Sequence, residues 1–269
     1  MDGLILWGRL LPLLTLAAIF GYGRFFIVPN ARRRAATPVL VLAALVHAAY
    51  LGTLGFTFGR IPLASLGEAF SAIALAMMIV YLWLELTTRG AASVGIVVLP
   101  IVLGLQSLAG FLFRPDPSIH PILETPWFGV HAGLAILACA AFTISAVFGI
   151  CHLVLYRQIR SGRFGRFSDG LPALEALGTL NFRGAVTGWV LMTVAMMTGM
   201  AWASGRFEGV WLDPKVVGTG LTWAVYGVVI GDRLLGGTRG RRIAWVSLAG
   251  FCCLLLAVVA GSMGSFHDF

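Results

Sequence analysis

Long apolar runs, each about the length needed to cross a lipid bilayer, alternate along this chain with short breaks that carry Pro, Gly and Arg. Within a run such as Ala91 to Phe113 the apolar side chains occupy even and odd positions alike, so the two-residue alternation of a membrane β-strand is missing. A helix satisfies its own backbone N–H and C=O groups. The hydrocarbon core, about 30 Å thick, takes about 20 residues in that form. The pattern predicts helices at about 4–28, 37–58, 63–86, 92–113, 127–157, 181–203, 215–232 and 242–263. The expected fold class is therefore all-α: a polytopic membrane helix bundle with about eight transmembrane helices, read as a single integral membrane domain over residues 1–269. The longest connection, about 25 residues between helices 5 and 6, leaves no room for a soluble domain. The first run is long for a signal peptide and has no basic residue before it, so it is expected to stay as a span. No internal repeat stands out.

Composition strengthens this picture. Apolar residues make up 59% of the 269 positions and charged residues 11%, against roughly half and a quarter in a soluble domain. The net charge of +8 would suit nucleic acid, but its placement tracks membrane orientation instead. Arg24, Arg32, Arg33, Arg34, Arg89, Arg157, Arg160, Arg163, Arg166, Arg183, Arg233, Arg239, Arg241 and Arg242 lie around the odd-numbered connections, 14 of the 19 basic residues. By the positive-inside rule those connections are cytoplasmic and both termini are extracytoplasmic. The expected surroundings are membrane lipids, with no nucleic-acid partner. Cys139, Cys151, Cys252 and Cys253 fall in apolar runs without a Cys-x-x-Cys pair, so neither a disulfide framework nor a thiol relay is indicated.

Polar groups inside a membrane are costly, and each is a functional candidate. His47 lies near the middle of helix 2, His131 at the outer start of helix 5, His152 near its inner end, His120 in an outer loop and His267 beyond helix 8. His131 and His152 are 21 residues apart on one helix, about 31 Å, too far to share one iron. His131 and His267 belong to the same outer face, and two neutral imidazoles from different helices make a good axial pair for haem iron. Solvated surface histidines are the plainer alternative, and zinc lacks a third ligand. The outer segment from Trp202 through Arg206, Trp211 and Asp213 to Lys215 can be read in two ways. It is either an aromatic and charged platform for a macrocycle and its carboxylates, or an aromatic belt followed by an Asp-Pro helix start. Glu68 opens helix 3, where it orients a His, pairs with an Arg such as Arg9, or is an ordinary interfacial acid at a helix start. Glu85 and Arg89, spaced i, i+4, read as a solvated helix end.

The order of these features resembles the membrane cytochrome c assembly proteins of the CcsA, CcmC and HemX type, over nearly the whole chain. Trp127-Phe-Gly-Val-His131-Ala-Gly is similar to the family's outer His opening a helix, and Trp211-Leu-Asp213-Pro214-Lys215 to the core of its tryptophan-rich loop. Ser65-Leu-Gly-Glu68-Ala, Leu180-Asn-Phe-Arg183-Gly-Ala-Val-Thr-Gly188, Leu221-Thr-Trp223-Ala-Val-Tyr226 and Ser265-Phe-His267 follow in the family's order. The resemblance implies that His131 and His267 ligate a non-covalent, b-type haem, that Trp202, Trp211 and Asp213 belong to its platform, and that His47 marks a deeper haem position as in HemX-like members. It further implies that haem is handled or presented at the extracytoplasmic face for c-type cytochrome maturation, in a bacterial plasma membrane. The implied partners are other assembly proteins and apocytochrome c, or a larger membrane complex.

With two departures the chain resembles the HemX-like branch more than a full synthase. Phe207, Glu208 and Gly209 thin out the tryptophan-rich loop, and Gly231-Asp232-Arg233 stands where synthases carry an inner His. Whether the chain takes part in catalysing haem attachment stays open at this level. A second reading is a membrane subunit of an electron-transfer or regulatory complex, with fixed haem b or none. A solute transporter is a third, less favoured because the intramembrane polar set is sparse.

Overall fold

A computed structural model describes residues 2–27, 36–88, 94–114, 125–162, 165, 170–203, 213–236 and 240–261. Among them the long elements are all helices: α1 (Asp2–Ile27), α2 (Ala36–Phe58), α3 (Leu66–Thr87), α4 (Gly95–Leu112), α5 (Pro126–Ser161), α6 (Leu174–Ala203), α7 (Pro214–Leu234) and α8 (Gly240–Gly261). This is the all-α bundle expected. Among the described residues, seven helices are long and apolar enough to cross a membrane. The exception is α7, whose 21 residues reach about 31 Å. Its four glycines, Thr219, Thr222, Trp223 and Tyr226 dilute its apolarity, and Lys215, Asp232 and Arg233 charge its ends. Two boundaries also differ from the pattern. α5 runs on to Ser161 and α6 begins at Leu174, because hydropathy ends where lipid ends whereas the helical backbone continues through helix formers such as Leu174-Glu-Ala-Leu.

The chain forms two compact units. Unit 1 comprises residues 1–125 and 163–176, and unit 2 residues 126–162 and 177–269. In unit 1, α1 packs on α2 and α4, and α3 packs on α4 and α2. Its apolar core gathers Leu11, Tyr50, Leu54 and Phe113. Gly67 lets the start of α3 meet the end of α4, since a Cβ there would fall 2.8 Å from the Phe113 backbone. In unit 2, α8 packs on α7 and α5, around Ala138, Phe142, Ala185, Met192, Tyr226 and Leu254. Phe142 and Tyr226 stack with centroids 4.0 Å apart, and the Tyr226 hydroxyl donates to the Ser247 carbonyl at 2.8 Å. Large apolar side chains such as Phe56, Phe111 and Val228 point outward instead of into these cores, the arrangement expected when lipid is the solvent.

Polar side chains pair inside the units. In unit 1, Ser65 caps α3 by accepting from the Glu68 N–H, and Glu68 reaches back to accept from the Ala64 N–H, a capping box shifted by one residue. The same carboxylate takes a two-pronged bond from Arg60, 2.8 Å and 2.9 Å, with both side chains buried. Arg60 is thus the partner of Glu68, where the sequence pattern had offered Arg9. Glu85 likewise turns inward: it accepts from Tyr22 of α1 at 2.5 Å and Thr37 of α2 at 2.6 Å. It is a cross-helix acceptor in unit 1, in contrast to the solvated helix end expected from its spacing to Arg89.

Candidate functional site

The polar features of unit 2 that bear on function start with His131. α5 opens at Pro126, whose missing N–H costs nothing in a first helical turn, and His131 follows about one and a half turns on. Its Nδ1 lies 2.8 Å from the Ala195 carbonyl oxygen on α6. A carbonyl only accepts, so Nδ1 carries the hydrogen, and in the neutral ring the lone pair resides on Nε2. One turn beyond Ala195, Gly199 leaves space for the imidazole: a Cβ there would come within 2.5 Å of Cε1 and 2.6 Å of Nδ1. Any side chain at 199 therefore displaces the ring. The Ala195, Gly199 and Ala203 spacing is a small-residue stripe visible in the sequence and could have indicated a close helix approach.

Trp202 is the penultimate residue of α6, three residues past Gly199, and is partly buried. Asp213 is buried and caps α7, its Oδ1 accepting from the Lys215 N–H at 2.8 Å with Pro214 at the first helical position. The Asp-Pro-Lys run is thus a helix start in this structure. Lys215 lies within electrostatic reach of Asp213 and of Cys139 on α5. Farther along the helices, Trp189 of α6 and Trp223 of α7 stack at 5.3 Å. Trp189 Nε1 donates to the Trp223 carbonyl at 3.1 Å, and Trp223 Nε1 to Thr193 Oγ1 at 2.8 Å. The sequence gives no sign of this pair, since two tryptophans 34 positions apart carry no mark of contact. His267, Trp211 and His120 lie outside the described residues.

His47 belongs to unit 1 and has a different environment. It is fully buried, and each helix of the unit supplies one member of the chain it joins. Thr15 Oγ1 donates to Gln106 Oε1 at 2.6 Å, the Gln106 amide N–H donates to His47 Nδ1 at 3.0 Å, and His47 Nε2–H donates to Ser71 Oγ at 2.8 Å. Both ring nitrogens are engaged, so this arrangement leaves His47 no lone pair for iron. Among the described residues no group of three or more His, Cys, Asp or Glu side chains is placed to hold a bare metal ion.

Comparison with known proteins places the chain in a family. The profile described as cytochrome C assembly protein matches residues 38–265, from α2 to beyond α8. The chain belongs to the cytochrome c assembly protein family. Among similar proteins, a Prochlorococcus marinus protein named cytochrome c biogenesis protein CcsA is 27% identical over 274 residues, covering 90% of this chain and 84% of the relative. A Synechococcus elongatus protein of the same name is 24% identical over 261 residues, covering 80% of each chain. One from Heterosigma akashiwo is 22% identical over 238 residues, covering 75% of this chain and 74% of the relative. The family match spans both units and includes His47, His131, Trp202 and Asp213.

Proposed function

We propose that this protein binds haem non-covalently at the extracytoplasmic end of unit 2 and presents it for c-type cytochrome maturation, with His131 and His267 as axial ligands. The observation that carries the reading is the bond from His131 Nδ1–H to the Ala195 carbonyl. Metal-bound histidines generally donate their second ring N–H in this way, which sets the tautomer and raises the basicity of the ligating nitrogen. His131 suits an axial ligand on that account. Bound at this face, haem would bring its vinyl groups to reduced cysteines of an apocytochrome. Trp202 and Trp211 would pack on the macrocycle and Lys215 would pair with a carboxylate, while Asp213 holds the turn that places Lys215. Partners in this role are other cytochrome c assembly proteins and the apocytochrome, at a bacterial plasma membrane. His47, with both ring nitrogens bonded, stands outside the proposed ligand pair. A deeper haem at His47 would require the Gln106 amide to turn away first.

The direct test is an absorption spectrum of the purified protein, oxidised and reduced, with a pyridine haemochrome assay after haem-replete expression. Absence of haem would overturn the proposal. A second reading, a membrane subunit that retains haem b or lacks it, is favoured by Gly231, which stands where full synthases are expected to carry an inner His. Transfer of haem to an apocytochrome separates the two, since a fixed prosthetic group stays with the protein through turnover.

Gly199→Ala tests the ligand's support. The new Cβ forces the His131 ring off the Ala195 carbonyl, and the expected result is haem affinity lower by about 10- to 100-fold, the range for losing an outer partner of a ligand. Unchanged affinity and spectrum would show that the bond plays no part in ligation.

The proposed orientation has its own test in a background lacking Cys139, Cys151, Cys252 and Cys253. Glu208→Cys is expected to react with a membrane-impermeant maleimide from the extracytoplasmic side, and Arg239→Cys only after the membrane is opened. The reverse pattern would put the proposed haem platform on the wrong side.

A further inference from the structure

The end of unit 2 opposite His131 carries arginine from every one of its helices. α5 closes with Arg157 and Arg160, α6 carries Arg183, α7 closes with Arg233, and α8 opens with Arg241 and Arg242. Side-chain contacts bring these helix ends together. The Arg233 guanidinium lies over the Phe182 ring of α6, 4.3 Å from its centroid, and that of Arg241 lies over Tyr156 of α5 at 5.3 Å. His152 of α5 packs against Gly240 of α8, where a Cβ would come within 2.7 Å of its ring, and against Gly178 of α6. Asp232 is the one carboxylate at this end among the described residues of unit 2, and Glu175, in the first turn of α6, belongs to unit 1. Among the described residues Arg157, Arg160, Arg233, Arg241 and Arg242 make no ion pair.

Orientation in a membrane needs only positive charge on a loop. Here the guanidiniums stand on helical turns, and two of them rest on aromatic rings of neighbouring helices. A ring accepts no conventional hydrogen bond, so a guanidinium held over one keeps N–H groups for an oxygen acceptor, which it can bind in bidentate fashion. Like charges at one end of the unit repel one another, and an anion at that end relieves the repulsion. The helix ends lie at the depth of the lipid phosphates if the helices cross the bilayer. We propose that this arginine rim binds the head groups of anionic phospholipids, with guanidinium N–H groups donating to phosphodiester oxygens. A zwitterionic head group brings its own cation toward the rim and is disfavoured. The proposal is independent of the haem reading.

The test uses the full chain, delipidated in neutral detergent, with its thermal midpoint followed during separate titrations with phosphatidylglycerol, phosphatidylcholine and inorganic phosphate. Phosphatidylglycerol is expected to raise the midpoint, less so at high salt, and the other two to leave it unchanged. Arg241→Gln/Arg242→Gln should weaken the apparent phosphatidylglycerol affinity about 30-fold, from roughly a tenfold change per 1.4 kcal/mol and about 1 kcal/mol per basic residue. Should that variant fail to fold, Arg241→Lys/Arg242→Lys keeps the charge but loses the planar fork, and an intermediate affinity is expected. Equal stabilisation by phosphatidylcholine, a full effect of inorganic phosphate alone, or an undiminished phosphatidylglycerol response in either variant would overturn the proposal.

Discussion

Replacing His131 by Ala is expected to remove the low-spin haem spectrum and to lower haem affinity by more than the 10- to 100-fold assigned to loss of its outer partner. In the proposed site two imidazoles would hold the iron, and loss of one would leave it five-coordinate and high-spin. The vacated space lies beside Gly199 and the Ala195 carbonyl, which can position a small heterocycle as they position the native ring. Added imidazole should therefore restore much of the low-spin signal in His131→Ala. His267→Ala is expected to behave in the same way, and His120→Ala serves as the control. If His120→Ala abolishes the signal while His131→Ala and His267→Ala leave it intact, the ligands have been misassigned. Imidazole rescue also separates a lost ligand from a misfolded protein, because a collapsed site would not respond.

The largest expected effect on stability comes from the buried pair in unit 1. Arg60→Ala leaves the Glu68 carboxylate buried with the Ala64 N–H and without its two guanidinium bonds. Stranding one member of a buried ion pair typically costs about 3–5 kcal/mol. For a chain of this size that corresponds to a fall of about 10 °C in the thermal midpoint. Replacing both partners by apolar residues, as in Arg60→Met/Glu68→Leu, removes the stranded charge along with the pair. It is expected to recover most of the loss, apart from about 1 kcal/mol for the capping bonds. Thermal unfolding of the full chain in detergent reads both variants. A double variant as unstable as the single one would mean that the pair itself, and not the stranded charge, holds the α2–α3 connection.

These two sites differ in how far the sequence reveals them. His131 stands out because a histidine opening an apolar helix is conspicuous, and its surroundings resemble a family pattern. Its bond to Ala195 and its seat on Gly199 leave almost no trace, since a backbone carbonyl is present at every position. Asp213 was legible as a helix start, and the Asp-Pro-Lys run reads the same way in the structure. Glu68 was legible as an unusual membrane acid, yet its partner is Arg60 in the preceding turn, and no spacing rule points from one to the other. Glu85 has an arginine at i+4, but it bonds Tyr22 and Thr37 across the unit.

What the sequence by itself determined is the all-helical character, the approximate position of each helix and the family. Lipid imposes these one residue at a time: an apolar run of sufficient length must close its backbone hydrogen bonds within itself, whatever packs beside it. Only the tertiary structure decided which polar side chains meet. That depends on how far each helix is turned about its axis and how closely its neighbours approach, and these follow from side-chain shape because lipid offers helix association no hydrophobic driving force. His47 shows the difference. Its depth in the membrane is written in the length of the run around it, whereas its closed chain to Ser71, Gln106 and Thr15 exists only because four helices present those faces to one another.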